Sequence, residues 1–210
     1  MGHPPGYRER VLLMDAARLS RTLARMAHEM AERHPDIGRA VLVGVRTRGV
    51  PLAQRLAALI KAAAGEAPVV GALDITLYRD DLTMIAPHPV LKGTEIPVSI
   101  DGRVVVLVDD VLYTGRTARA ALDELIDFGR PSRIELAVLV DRGHRELPIR
   151  ADYAGKTITT TRDEIVQVML EDEDGADRVV LLEETAVPAA PSPAAAGAKK
   201  KKTAKAKAKR

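Results

Sequence analysis

The chain of 210 residues has no cysteine and no tryptophan, and only four tyrosines and one phenylalanine. Without cysteine it can have neither a disulfide framework nor a thiol nucleophile, which suits a reducing compartment. Nowhere does an apolar run approach the ~20 residues that a membrane-spanning helix requires. The start, Met1-Gly2-His3-Pro4-Pro5-Gly6, lacks the apolar region of a secretory signal. These absences make a soluble, cytoplasmic protein with no membrane association the expectation.

What the chain does contain is unevenly spread. Its formal charge is +3, yet residues 188–210 hold seven lysines, one arginine and no acid. Taking those eight cations from +3 leaves −5 for residues 1–187, a mildly acidic body with a polycationic tail. The tail opens Pro188-Ala189-Ala190-Pro191-Ser192-Pro193 and has no large apolar side chain. It cannot offset its ordering entropy and is expected to be disordered. A polycation attracts RNA or DNA phosphates without sequence preference; a solubilising extension is the plainer reading, and the two weigh evenly. The length suits one domain with an appendage. The expected division is an N-terminal extension over residues 1–11, a domain over 12–187 and the tail over 188–210.

Within the body, helical and strand-like patterns alternate. Helices are expected over residues 15–33, where His34-Pro35 stops the pattern, over 51–64, with proline in the first turn, and over 117–128. Strands are expected over 40–45, 69–78, 103–109 and 134–141, and shorter ones over 157–160, 165–170 and 179–182. Residues 79–97 are polar and proline-interrupted and read as a long loop or hairpin. Strands alternating with helices imply an α/β fold, a parallel sheet flanked by helices. The late short strands imply a small hood over the sheet's carboxyl edge.

The most informative segment is Val104-Val105-Val106-Leu107-Val108-Asp109-Asp110-Val111-Leu112-Tyr113-Thr114-Gly115-Arg116-Thr117. Its aliphatic run reads as a strand buried on both faces of a parallel sheet. Two carboxylates follow, then a short loop of hydroxyls and one glycine, then an amphipathic helix that ends at Gly129. Ligands of open α/β sheets sit at the carboxyl ends of strands, where loop amides and helix N-termini collect anions. The segment is neither a Walker loop nor a GxGxxG fingerprint. Its hydroxyls and N–H groups suit a phosphate. Its carboxylates suit sugar hydroxyls or, through water, a divalent cation. A ribose 5-phosphate is the ligand this combination suggests.

A second strand end carries Arg46-Thr47-Arg48-Gly49. Two guanidiniums flanking a hydroxyl could clamp diphosphate oxygens in fork geometry, with the glycine letting backbone amides approach. An ordinary basic turn fits equally well. On the first helix, Arg18, Arg21, Arg25 and His28 fall within an arc of about 80° at ~100° per residue. Leu19, Leu23, Met26, Ala27 and Met30 lie opposite. The basic face could meet RNA, although Glu29 and Glu32, four residues beyond Arg25 and His28, make a solvated surface helix the plainer reading.

The 104–117 segment resembles the phosphoribosyl diphosphate (PRPP) signature of type I phosphoribosyltransferases. The match extends to Val43-Gly44-Val45-Arg46-Thr47-Arg48-Gly49, to Asp74-Ile75-Thr76-Leu77-Tyr78-Arg79-Asp80-Asp81-Leu82, and to Leu139-Val140-Asp141-Arg142-Gly143-His144-Arg145-Glu146-Leu147-Pro148-Ile149-Arg150-Ala151-Asp152-Tyr153. Across residues 12–184 the chain is similar to the pyrimidine operon attenuation regulators, which are also uracil phosphoribosyltransferases. The resemblance implies a type I phosphoribosyltransferase-like sheet with a hood, and conversion of uracil and PRPP to UMP and diphosphate with Mg²⁺. Asp109, Asp110, Arg48 and Arg79 would be catalytic, the two aspartates contacting the ribose hydroxyls and, through water, the metal. Val111, Leu112, Tyr113, Thr114, Gly115, Arg116 and Thr117 would form the 5-phosphate cradle. Arg46, Thr47, Arg48 and Gly49 would form the diphosphate loop. The long loop would be a lid that keeps water from a ribosyl cation-like transition state. Its Arg79 would cover the diphosphate, and Asp80 and Asp81 would be solvated charges or hinge caps.

Uracil would be read near Arg142 and by backbone around Val166, for which a plain inward-facing strand residue is the simpler account. In purine-using relatives the position of Tyr113 is commonly an aspartate that acts as base toward the purine. Its absence argues against a purine substrate and leaves no assignable general base for uracil. The resemblance also implies a homo-oligomer whose nucleotide site senses UMP and biases binding to a pyrimidine-operon leader mRNA. The RNA surface would be Arg18, Arg21, Arg25 and His28 together with His144, Arg145 and Arg150. No aromatic residues interleave these charges, so phosphate contact and RNA shape would dominate. The alternatives are an enzyme without RNA regulation and a phosphoribosyltransferase for another base.

Overall fold

A computed structural model describes residues 3–78 and 93–185. The expected Arg79, Asp80 and Asp81, most of the long loop and the basic tail lie outside the described residues. Five parallel strands form the main sheet: β2 (Val41–Val45), β3 (Val69–Leu73), β4 (Val104–Leu112), β5 (Arg133–Asp141) and β6 (Tyr153–Thr157), in the order β3-β2-β4-β5-β6. The helices are α1 (Ala16–Arg33), α2 (Gly49–Ala64), α3 (Arg116–Phe128) and the four-residue α4 (Glu171–Asp174). Three antiparallel strands, β1 (Tyr7–Met14), β8 (Arg178–Glu184) and β7 (Ile165–Met169), make the hood in the order β1-β8-β7. Among the described residues no helix is long and apolar enough to cross a membrane.

Neighbouring residues along the central strands point to opposite faces, and both faces are covered. Leu42, Val106 and Val108 pack in one apolar cluster with Leu19, Leu23, Met26 and Met30 of α1 and Leu52, Leu56 and Ile60 of α2. Val41, Val43, Val45, Val105 and Leu107 pack in a second cluster with Ala118, Ala121 and Leu125 of α3. Each fully buried aliphatic side chain adds about 1.5–3 kcal/mol from area removed from water. Truncating a fully buried residue such as Leu56 therefore costs about 2–5 kcal/mol. The α1 face is divided as the periodicity predicts. Asp15 caps this helix by accepting the Arg18 N–H at 2.7 Å.

The differences from the sequence reading are local. The strand β1 begins at Tyr7, inside the stretch expected to be an extension, because it pairs with β8 at the far end of the chain. Such a pairing across the whole domain leaves no local signature. The expected strand 69–78 stops at Leu73 and turns into a 3₁₀ segment, Ile75–Tyr78. There the Asp74 carboxylate accepts the Thr76 N–H at 3.0 Å, an Asx-type turn that competes with the ladder. The last strand of the sheet lies at Tyr153–Thr157 rather than over 157–160. The glycine in that strand and its lysine weaken the period-2 signal.

Candidate functional site

Two loops and a pair of carboxylates meet at the carboxyl edge of the sheet. The strand β4 runs through Asp109 and Asp110 and ends at Leu112, so these carboxylates ride on the ladder rather than on the loop. Asp109 accepts the Asp110 N–H at 2.9 Å, and Asp110 accepts the Val111 N–H at 2.8 Å. Burial pushes the Asp110 carboxyl above the ordinary aspartate range, against the nearby Arg48 guanidinium, which favours the ionised form.

Tyr113, Thr114 and Gly115 turn the chain into α3. Gly115 caps the helix at φ 93°, a left-handed conformation that a side chain would strain. The carbonyls of this turn are all engaged on one side. Leu112 O accepts the Arg142 N–H at 3.1 Å, Tyr113 O accepts Arg145 Nη1 at 2.7 Å, and Thr114 O accepts the Glu146 and Leu147 N–H groups at 2.9 and 3.2 Å. In a trans peptide the N–H points opposite to the C=O. Holding these three carbonyls toward residues 142–149 therefore turns the N–H groups of Tyr113, Thr114 and Gly115 the other way. N–H groups turned this way at the start of a 13-residue helix can receive an anion. Val111 and Leu112 supply the strand that leads into it, Thr117 lies in the first turn of α3, and Arg116 pairs with Glu146 at 3.0 Å.

The second loop joins β2 to α2. Arg46 gives Nε to Gly93 O at 3.1 Å. Thr47 is exposed. Arg48 is the N-cap of α2 and forks onto Asp174 of the hood through Nε and Nη2 at 3.1 and 2.9 Å. Gly49 is buried, and a Cβ there would lie 2.3 Å from Val108 O. Only glycine lets the start of α2 approach β4 this closely, which brings the Arg48 turn beside Asp110.

The proposed base-reading residues occupy different surroundings. Arg142 is 5% exposed, gives Nε to Thr160 Oγ1 at 3.1 Å and Nη2 to Thr161 O at 2.8 Å, and lies 4.1 Å over the Tyr113 ring. Burial lowers its pKa, although Tyr113 and Glu164 oppose the shift. The Val166 side chain belongs to the main apolar cluster, so only its backbone, on the edge strand β7, could face a ligand.

The basic residues divide into two groups. Arg18, Arg21, Arg25 and His28 are exposed on α1. Arg25 pairs with Glu29 at 3.2 Å and also gives Nη2 to the carbonyls of Ala154 and Gly155, while His28 Nδ1 meets Ala24 O at 2.7 Å rather than Glu32. Arg150 is exposed. His144 and Arg145 are instead turned inward. His144 Nε2 lies 2.6 Å from Thr160 O, and Arg145 binds the carbonyls of Tyr113, Gly143 and Ile149 and the Asp141 carboxylate. Sequence reasoning named the two loops and the carboxylates as candidates, and the structure brings Arg48 of one loop beside Asp110. Sequence reasoning missed Asp174 and this bracing role of Arg145, because both connect segments far apart in the chain. The one available signal for Asp174 was an acidic run with nothing local to neutralise it.

Among the described residues no group of three or more His, Cys, Asp or Glu side chains could hold a metal ion by itself. A magnesium ion that keeps several waters and leans on substrate oxygens needs only one or two carboxylates. The adjacent Asp109 and Asp110 fit that demand.

The phosphoribosyl transferase domain family matches residues 13–174. The bifunctional protein PyrR of Pelotomaculum thermopropionicum is 58% identical over 176 residues, covering 84% of this chain and 97% of the relative. That of Thermus aquaticus is 58% identical over 172 residues, covering 82% and 95%. Among solved structures, the hypoxanthine phosphoribosyltransferase of Trypanosoma cruzi superposes with a TM-score of 0.64 at 18% identity, covering 84% of this chain and 98% of that one. The hypoxanthine-guanine phosphoribosyltransferase of Bacillus anthracis gives 0.60 at 16% identity, with coverage of 84% and 98%. At such identities the structures establish the fold alone, and they say nothing for a purine substrate. The chain belongs to the phosphoribosyl transferase domain family and, within it, to the bifunctional PyrR proteins.

Proposed function

We propose that this chain transfers the phosphoribosyl group of PRPP to uracil, giving UMP and diphosphate, and that UMP in the same site favours binding of a pyrimidine-operon leader RNA. The observation that carries the first part is the placement of two anion-binding loops on either side of Asp109 and Asp110. Residues 113–117 receive the 5-phosphate and residues 46–49 the diphosphate, so the ribose lies over the carboxylates. Their charge holds the ribose hydroxyls and favours positive charge developing at the anomeric carbon. The bond from that carbon to the diphosphate oxygen breaks as the bond to uracil N1 forms, and the N1 proton is released to water. Asp109 and Asp110 would hold magnesium through water, and the ion would supply charge that neutralises the departing diphosphate. Arg79 covers the diphosphate, and Arg142 with the backbone near Val166 reads uracil. No general base is assigned.

The test is turnover of uracil, hypoxanthine, guanine and orotate with PRPP and Mg²⁺ by the purified protein. Uracil is the expected substrate; preferential turnover of hypoxanthine or guanine would overturn the assignment. For the second part, the supporting observation is the exposed arginine face of α1. The guanidiniums of Arg18 and Arg21 have no partner among the described residues. Leader and scrambled RNA should be titrated at two salt concentrations, with and without UMP and residues 188–210. Leader preference should rise with UMP and fall on charge reversal at Arg21. Loss of the tail should flatten the salt dependence for both RNAs, since up to eight counterion-releasing charges go with it. If the preference disappears with the tail, the protein is an enzyme alone. The protein works in the cytoplasm as a homo-oligomer in this reading, supported by exposed Val11 and Leu12 on β1 and Ile126 and Phe128 on α3.

A further inference from the structure

Two arginines of α2 tie the hood to the sheet. Arg48 forks onto Asp174 at 3.1 and 2.9 Å. Arg55, two turns along, gives Nε and Nη2 to Asp172 at 3.1 and 2.6 Å and Nη1 to Asp177 at 2.8 Å. The two staples resemble each other in chemistry and differ in location. Arg48 stands in the 46–49 turn, where Asp110 is among the charges that act on it. The charges that act on Arg55 are those of Asp172 and Asp177 in the hood. The Asp174 side chain is 2% exposed, and its Oδ2 also accepts the Leu170 N–H at 3.1 Å. A buried carboxylate with both oxygens engaged cannot swing, so it acts as a fixed abutment. Its fork uses two of the five guanidinium N–H groups. The Nη1 pair and one Nη2 hydrogen of Arg48 are left for another anion. Their mutual bonds hold the Asp174 carboxyl below, and the Arg48 guanidinium above, the ordinary range.

We propose that Asp174 is a positioning residue for the diphosphate end of the site, fixing Arg48 so that its remaining N–H groups meet the diphosphate of PRPP. This rests on the reading of residues 46–49 as the diphosphate loop. The pair is neutral as a whole, so its contribution is orientation rather than charge. An arginine on an open turn would have to be immobilised at each binding event, and the hood does this in advance. The arrangement also links the two halves of the reaction. The segment that carries Asp174 connects β7, where uracil is read, to β8, so the hood must be seated before Arg48 is aligned.

A variant that keeps the charge and moves it separates orientation from electrostatics. Asp174→Glu displaces the carboxylate by one methylene, and Asp172→Glu does the same at the Arg55 staple. Calorimetry with inorganic diphosphate in excess Mg²⁺, and separately with UMP, gives the two affinities. Asp174→Glu should weaken diphosphate about tenfold and raise the KM for PRPP similarly, with UMP affinity and kcat within about twofold. Asp172→Glu should leave both affinities within twofold. Arg48→Lys, which keeps charge without a fork, should show the same selective loss, and the double variant Arg48→Lys with Asp174→Glu should be no worse than either alone. The proposal is overturned if Asp174→Glu weakens UMP and diphosphate alike, matches Asp172→Glu, or tightens diphosphate. Arg48→Ala separates this from the underlying reading. If that variant binds diphosphate like the parent, residues 46–49 are not the diphosphate loop at all.

Discussion

The two edges of the parallel sheet hold carboxylates, one buried and one half-buried, under opposite conditions. At the amino edge, Glu135 at the start of β5 is 2% exposed and meets His34 Nε2 and the Tyr153 hydroxyl, each at 2.8 Å, and Arg133 Nη1 at 3.3 Å. Burial alone would raise its pKa, but His34 and Tyr153 outweigh burial and hold the carboxyl below the usual range. The Tyr153 hydroxyl, buried and donating to Glu135, is pushed upward and stays protonated. At the carboxyl edge the contest goes the other way. Asp110 has Arg48 nearby and the Val111 N–H, yet burial prevails and its pKa is raised. A carboxylate whose partners outweigh burial contributes to folding as an ion, whereas one on which burial prevails is held toward its neutral form.

The largest effect that would break this contrast is expected at the carboxyl edge. Asp110→Asn keeps the shape and removes the charge proposed to lie under the ribose, so the transition-state stabilisation read from kcat/KM should drop by about 2–4 kcal/mol, the loss typical of one preorganised electrostatic group. The melting temperature should hold or rise, because a carboxyl whose folded pKa is raised destabilises the fold above its unfolded pKa. Steady-state rates and thermal melts of the same preparation would check both; near-normal turnover would mean that the site is misplaced. Glu135→Gln should do the reverse, costing about 1.5–3 kcal/mol of stability with turnover at 25 °C unchanged. Glu135 has a lowered folded pKa. Its contribution is present above the ordinary carboxylate range and is lost as pH falls through the folded value. Melts recorded from neutral pH into acid should therefore show a shallower acid limb in the variant than in the parent.

The smallest effect concerns the two anion loops. Arg145 holds the carbonyl side of the 113–115 turn, proposed to receive the 5-phosphate, as Asp174 holds Arg48. Arg145→Ala should weaken UMP about tenfold, roughly 1.4 kcal/mol, and leave inorganic diphosphate binding within twofold. On the sequence reading the same change would weaken only RNA binding. An unchanged UMP affinity measured by calorimetry would restore that simpler role and detach the 142–149 segment from the nucleotide site.

The parts of the site that a sequence can show are those whose chemistry is contiguous. Asp109, Asp110, Thr114 and Gly115 sit within seven residues, at a strand–loop–helix junction whose burial pattern is set by periodicity. Arg46 to Gly49 are likewise contiguous at a second strand end. The α1 face could be read for the same reason, since a helix of 18 residues with its apolar positions on one side has one way to lie on a sheet. These are local rules of propensity and patterning, and the parallel α/β class follows from them.

Only the tertiary structure decided which residues hold those groups in place. The strand β1 exists because β8, some 170 positions later, supplies its hydrogen bonds. Asp174 matters because the hood folds back 126 residues in sequence onto Arg48. Arg145 is an ordinary basic residue in the chain and becomes a brace because Leu112 and Tyr113 present their carbonyls to it across 32 residues or more. Side-chain period and strand length act over a few residues, so they are written in the sequence directly. A guanidinium's partner is set by which carbonyls and carboxylates the packed fold leaves unsatisfied within 3 Å, and no single segment contains that information.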